Sequence, residues 1–171
     1  MTAISAFIGL GGNIGKPQET MASALRTLHQ ADGVAVLHVS SIYRTPPWGR
    51  TDQPDFLNAA AEIATSLSPR DLLDLCLNVE RQLKRIRAER WGPRSIDIDI
   101  LKYGDKTVSE EGLEIPHPRM LDRAFVLLPL SEIAPDLDLA GESAANRAAR
   151  SDQAGIVRQS GGSAWWQAAN G

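Results

Sequence analysis

The chain has 171 residues, 43% hydrophobic and 23% charged, which fits one globular domain whose core needs no disulfide staples. Its formal net charge of -3 excludes a global positive field that would recruit nucleic acid or an anionic membrane. Cys76 is the single cysteine, so no internal disulfide forms, which suits a reducing, cytoplasmic setting.

The N-terminal MTAISAFIGL lacks the basic start of a signal peptide, and no apolar run reaches the length of a membrane span. Residues 3–10, AISAFIGL, read as a first strand, and the run GGNIG as the turn after it. Pro17 suits the first turn of a helix, and Met21, Leu25 and Leu28 recur at helical spacing to about residue 31. Residues 34–44, VAVLHVSSIYR, are β-branched and aromatic enough for a second strand. TPPWGRTDQPD holds three prolines and a glycine and reads as a long loop. Residues 56–65, FLNAAAEIAT, read as a third strand.

Ser68 and Pro69 cap and open a second helix. Leu72, Cys76, Val79, Leu83 and Ile86 line its core face, and it is expected to end near residues 84–88. Residues 95–103, SIDIDILKY, form the clearest strand. A hairpin over 106–115, a Pro-His-Pro turn and a helical segment over 124–133, interrupted or bent near Pro129, complete the body. The expected catalytic domain spans 1–140. Residues 141–171 read as a tail that is weakly structured or docked through Trp165 and Trp166; an exposed partner site is the other reading of those rings.

The order β-α-β-β-α-β predicts an α+β fold of the split βαβ plan, one antiparallel sheet with two helices on one face, plus a C-terminal helix and hairpin. The glycine run lacks dinucleotide-binding spacing, and no P-loop motif is present.

Side chains two apart on a strand share a face. Ile96, Ile98 and Ile100 therefore point one way, and Asp97 and Asp99 the other. The pair alone leaves two readings open, a solvated outer face or a magnesium site, since magnesium takes one or two carboxylates and completes its shell with water and phosphate. The preceding KRIRAERWGPR adds Lys84, Arg85, Arg87, Arg90 and Arg94. A helix C-terminus accounts for Lys84 and Arg85. It does not account for Arg90 and Arg94 around Trp91-Gly92-Pro93, and guanidinium forks match phosphate oxygens. Carboxylates beside such a cluster point to a nucleoside triphosphate.

FIGLGGNIG, SSIYRTPPWG, QPDFLNAA, RAERWGPRSIDIDIL and IPHPRMLDRAFVLLPLSEIAP, in that order over about residues 4–139, closely resemble the 6-hydroxymethyl-7,8-dihydropterin pyrophosphokinases of folate biosynthesis. The resemblance implies a ferredoxin-like sandwich and transfer of pyrophosphate from ATP to the pterin, leaving AMP. It implies two magnesium ions on Asp97 and Asp99, transition-state help from Arg85 and Arg94, and a nucleotide site of Glu80, Arg87, Arg90, Trp91, Ile100, His117 and Arg123. It places Thr45, Pro46, Trp48, Phe56, Asn58 and Phe125 in the pterin pocket. Gly12 stands where the family often has serine, and Trp48 where a smaller apolar residue is frequent.

The residues of that pocket support it independently. Phe56 and Phe125 could sandwich a flat heterocycle, and the Asn58 amide both donates and accepts. The loops over 45–55 and 84–94 are expected to close over bound substrates. The expected protein is a monomer acting on small molecules, without nucleic acid or membrane partners. A metal-dependent nucleotide hydrolase and an RNA-binding module are the competing classes. The first needs no pterin pocket, and for the second Asp97 and Asp99 sit on the wrong face.

Overall fold

The computed structural model describes residues 3–46, 54–88, 96–159 and 162–167. The chain runs β1 (Ile4–Gly12), α1 (Pro17–Gln30), β2 (Val34–Val39), β3 (Tyr43–Thr45), β4 (Phe56–Thr65), α2 (Pro69–Ala88) and β5 (Asp97–Tyr103). The hairpin β6 (Val108–Glu110) and β7 (Leu113–Ile115) follows, then α3 (Ala124–Ile133), β8 (Asp138–Leu139), β9 (Glu142–Ser143), α4 (Ala144–Ala149) and β10 (Val157–Arg158). Among the described residues six strands form one antiparallel sheet in the order β10-β3-β4-β1-β5, with β2 also paired to β4. This is the expected α+β plan. No helix among the described residues is long and apolar enough to cross a membrane.

Alternation along the strands divides the core in two. Ile8, Leu10, Ile63, Ile98 and Ile100 pack under Met21, Leu25 and Leu28 of α1 and Leu72, Cys76 and Val79 of α2. Each fully buried aliphatic side chain of this layer contributes about 1.5–3 kcal/mol. Ser68 Oγ accepts the Asp71 N–H at 3.1 Å and caps α2. On the other face Phe7, Ala60 and Leu101 meet Leu127 and Leu130 of α3 and Ala144 and Ala148 of α4. Helices therefore cover both faces, and α3 leaves the end of the sheet near Thr45 and Asp97 uncovered on its own side.

Three details differ from the sequence expectation. Gly11 and Gly12 belong to β1, so the turn begins only after them: both flanking strands continue to pair there. The strand expected over 34–44 breaks at Ser40–Ile42. There Ser40 Oγ, in place of a main-chain carbonyl, accepts the Ala60 N–H at 2.9 Å, and the Glu132 carboxylate takes the Ser41 N–H at 3.0 Å. Side-chain acceptors thus replace the ladder for one step. Helix α3 runs over the expected 124–133 with Pro129 inside it, which removes the interruption and leaves the bend as the surviving alternative.

The tail crosses the edge of the sheet. α4 packs against α3, β10 pairs with β3, and Trp165 Nε1 donates to the Ser40 carbonyl at 2.8 Å. Arg26 donates to the Trp166 carbonyl at 2.9 Å, and the Trp166 ring stands edge-on to His29.

Candidate active site

β5 supplies the charge of the site. Its even positions, Ile98 and Ile100, are buried under the helices, which turns Asp97 and Asp99 to the opposite face. Asp97 is half-buried and Asp99 reaches solvent. Protein crowding still strips water from the Asp99 carboxyl and pushes it above the usual carboxylate range; His117 and Arg123 oppose that shift and Asp97 adds to it.

β1 supplies the floor. Gly9 lies opposite Asp99 on β5 and Ala60 on β4; Gly11 lies opposite Asp97 and Asn58. A Cβ on Gly11 would stand 2.6 Å from Asn58 Oδ1, so a side chain there would push the amide aside. A Cβ on Gly9 would make only an ordinary contact, 3.5 Å from Leu101. Two glycines at alternate positions facing two aspartates at alternate positions open the sheet surface itself as a binding surface.

Above that floor lies a cavity of about 390 Å³. Thr45, Phe56, Asn58 and Phe125 line one part, and Asp97, Asp99, His117 and Arg123 another. Asn58 Nδ2 donates to Thr45 Oγ1 at 3.3 Å, which orients the amide. The Arg123 guanidinium lies 5.6 Å from the Phe125 ring centroid, so cation–π attraction holds charge and ring together. A second cavity of about 290 Å³ runs between the outer side of β5 and the β6–β7 hairpin and includes Ile98 and Ile100. Asp99 and His117 line both cavities and mark where they join. His117 Nδ1 accepts the Arg119 N–H at 3.2 Å, so a neutral ring carries its proton on Nε2.

Other expected residues fall nearby. Glu80 Oε2 accepts the Ile98 N–H at 2.6 Å, and Lys84 Nζ lies 3.6 Å from its other oxygen. Burial pushes the Glu80 carboxyl up, and that N–H and Lys84 oppose it. Pro46 is not among the described residues lining the main cavity; it packs against Gly155. Arg85 and Arg87 lie on the last turn of α2. Trp48, Arg90, Trp91 and Arg94, with most of the two loops expected to close, lie outside the described residues. Cys76 is buried, and burial with the nearby Glu80 and Asp99 charges pushes its thiol up to about 12, which suits a core residue.

Among the described residues no group of three or more His, Cys, Asp or Glu side chains gathers as a metal cage. Two carboxylates on one strand face suit a magnesium ion that arrives with phosphate and water as its other ligands. They do not suit a closed structural site. The sequence reading missed Gly9 and Gly11 as cavity floor, although G-x-G at alternate positions of a strand was a visible signal.

Comparison with known proteins shows the family. Residues 7–135 match the family model described as 7,8-dihydro-6-hydroxymethylpterin-pyrophosphokinase. A 2-amino-4-hydroxy-6-hydroxymethyldihydropteridine pyrophosphokinase of Methylorubrum extorquens is 50% identical over 153 residues, 90% of this chain and 97% of that protein. One of Bacillus subtilis is 46% identical over 151 residues, 88% of this chain and 87% of that protein. Among solved structures, the wild-type HPPK-DHPS of Plasmodium falciparum superposes with a TM-score of 0.70 at 15% identity, covering 86% of this chain. The chain spans 43% of that longer protein, and the likeness speaks for the fold alone.

Proposed function

Because the chain belongs to the 7,8-dihydro-6-hydroxymethylpterin-pyrophosphokinase family, we propose that its two substrates meet over the Asp97–Asp99 face of β5. The enzyme transfers a pyrophosphoryl group from ATP to 6-hydroxymethyl-7,8-dihydropterin, giving AMP and the pterin diphosphate, a step of folate biosynthesis. The observation that carries the placement is the junction of two cavities at Asp99 and His117, one lined by aromatic and amide groups, the other running along the β5 edge.

The pterin lies in the first cavity between Phe56 and Phe125, with Asn58 and Thr45 on its hydrogen-bonding edge; Pro46 and Trp48 complete the proposed pterin-binding set. The nucleotide lies along β5 and the hairpin, near Glu80, Ile100 and His117, with Trp91 a further proposed nucleotide contact. Its phosphates reach Arg87, Arg90 and Arg123. Asp97 and Asp99 would hold two magnesium ions, which supply neutralising charge to the triphosphate when bound. The pterin hydroxyl oxygen forms a bond to the β-phosphorus and gives up its proton to solvent, and the electron pair of the breaking P–O bond leaves with AMP. Arg85 and Arg94 stabilise the charge that moves onto the transferring group and the leaving AMP. The cavity walls align the hydroxyl and exclude water, which would otherwise consume ATP. The protein acts as a cytoplasmic monomer on these small molecules, without nucleic acid or membrane partners.

The test supplies ATP, magnesium and the hydroxymethyl pterin and follows AMP together with the pterin diphosphate. Both are expected in equal amounts. Absence of both with folded protein overturns the proposal. AMP formed without need of the pterin would instead favour a nucleotide hydrolase.

A further inference from the structure

We propose that the C-terminal strand β10, with Gly155 before it, clamps the pterin-binding strand β3, making Arg158 and Gly155 positioning residues for pterin recognition. This rests on the assignment of Thr45 to the pterin site given above.

β3 is three residues long and enters the cavity through Thr45. On one side it pairs with β4, which bears Phe56 and Asn58. On the other side the tail holds it. Val157 pairs with Arg44, Arg158 pairs with Tyr43, and the Gln159 N–H donates to the Ile42 carbonyl at 2.8 Å. Arg158 Nε donates to Ser41 Oγ at 3.2 Å, and its Nη2 donates to Glu132 Oε2 at 3.2 Å. Glu132, on α3, also accepts from the Ser41 N–H, the Ser41 hydroxyl and, at 2.8 Å, the Tyr43 hydroxyl. Arg158 therefore supplies the cation for a carboxylate that gathers β3 to α3, the helix that brings Phe125.

Gly155 closes the clamp at the next residue along. Its φ is +78°, and a Cβ there would stand 2.9 Å from Pro46 Cγ. The tail thus touches the segment from Ser41 to Pro46 on its outer side, up to the two residues that lead out of β3. The family match ends at residue 135, so Gly155 and β10, the tail half of the clamp, lie outside the stretch that defines the family.

The consequence is selective. Loosening β3 lowers the fraction of protein in which Thr45 stands ready, and apparent affinity falls by that fraction. The β5 side lies across β4 and β1 from β3 and does not share this strand. Pterin binding should weaken while ATP binding holds.

The experiment uses the full chain carrying Arg158→Ala, Arg158→Lys, Gly155→Ala or Arg150→Ala, each checked for folding by circular dichroism. Arg150 pairs with Glu142 beyond α4 and serves as a charge-loss control in the same tail. Pterin affinity is read from its own fluorescence, and both KM values from AMP release. Arg158→Ala and Gly155→Ala are expected to raise the Kd and KM for the pterin by about three- to five-fold with KM for ATP unchanged. Arg158→Lys recovers most of the loss, and Arg150→Ala changes nothing. Unchanged pterin affinity in both Arg158→Ala and Gly155→Ala overturns the clamp. An equal rise in both KM values overturns it too, because that marks general loosening. A wild-type chain that binds no pterin overturns the site assignment and the clamp with it.

Discussion

The two faces of the sheet are made by the same strands and obey opposite rules. Under α1 and α2, alternate residues of β1, β4 and β5 are aliphatic and fully packed. On the other face Phe7, Ala60 and Leu101 pack under α3 and α4, but toward the cavity the intervening positions are Gly9, Gly11, Asn58, Asp97 and Asp99. A period of two lets one strand serve both ends without compromise. At this end of the sheet stability and chemistry are therefore separable by residue parity, and substitutions on adjacent residues should fail in different ways.

The largest expected effect is on the polar face. Asp97→Ala or Asp99→Ala is expected to lower turnover by about 10³-fold while the melting temperature stays near that of the parent. Substantial turnover in either variant would break the division. On the packed face, Leu25→Ala removes a fully buried side chain. It is expected to cost about 2–5 kcal/mol in urea denaturation while both KM values hold in the folded protein. Gly11→Ala tests the floor between the aspartate and the amide. The added methyl must displace the Asn58 amide, so KM for the pterin is expected to rise about ten-fold, with the ATP value little changed. A silent Gly11→Ala would mean that Asn58 moves freely and does not orient the pterin.

The smallest effect concerns Cys76, which sits on the packed face close behind the acidic pair. The thiolate is the reactive form, and with its thiol pushed up to about 12 almost none is present at pH 8. A thiol reagent at that pH is expected to leave activity intact and to react only after denaturation. Rapid labelling of native enzyme would show that the packed face opens.

Much of this was legible in the chain itself. Asp97 and Asp99 between isoleucines announce their own orientation, because strand periodicity needs no tertiary information. The core stripe of α2 did the same at helical spacing. The break at Ser40–Ile42 was not legible, because it depends on Glu132, 91 residues on, offering its carboxylate to Ser41. The alternate spacing of Gly9 and Gly11 was visible, but what they face was not, for a related reason. A glycine in isolation suggests a turn, and only the register against Asn58 and Asp97 shows it as floor. β10 carries two residues of strand, too few for any periodic pattern, and its place follows from β3 alone.

The Glu80 carboxylate also matters to how molecules of this protein meet one another. β5 is a margin of the sheet, where a free N–H row would invite a second chain to add a strand. Glu80 occupies the Ile98 N–H on that margin, and the opposite margin is shared by β2 and the two-residue β10 that bears Arg158. Glu80 thereby shortens the ladder that a second copy of the chain could join at β5, beside the face that stays open to substrate.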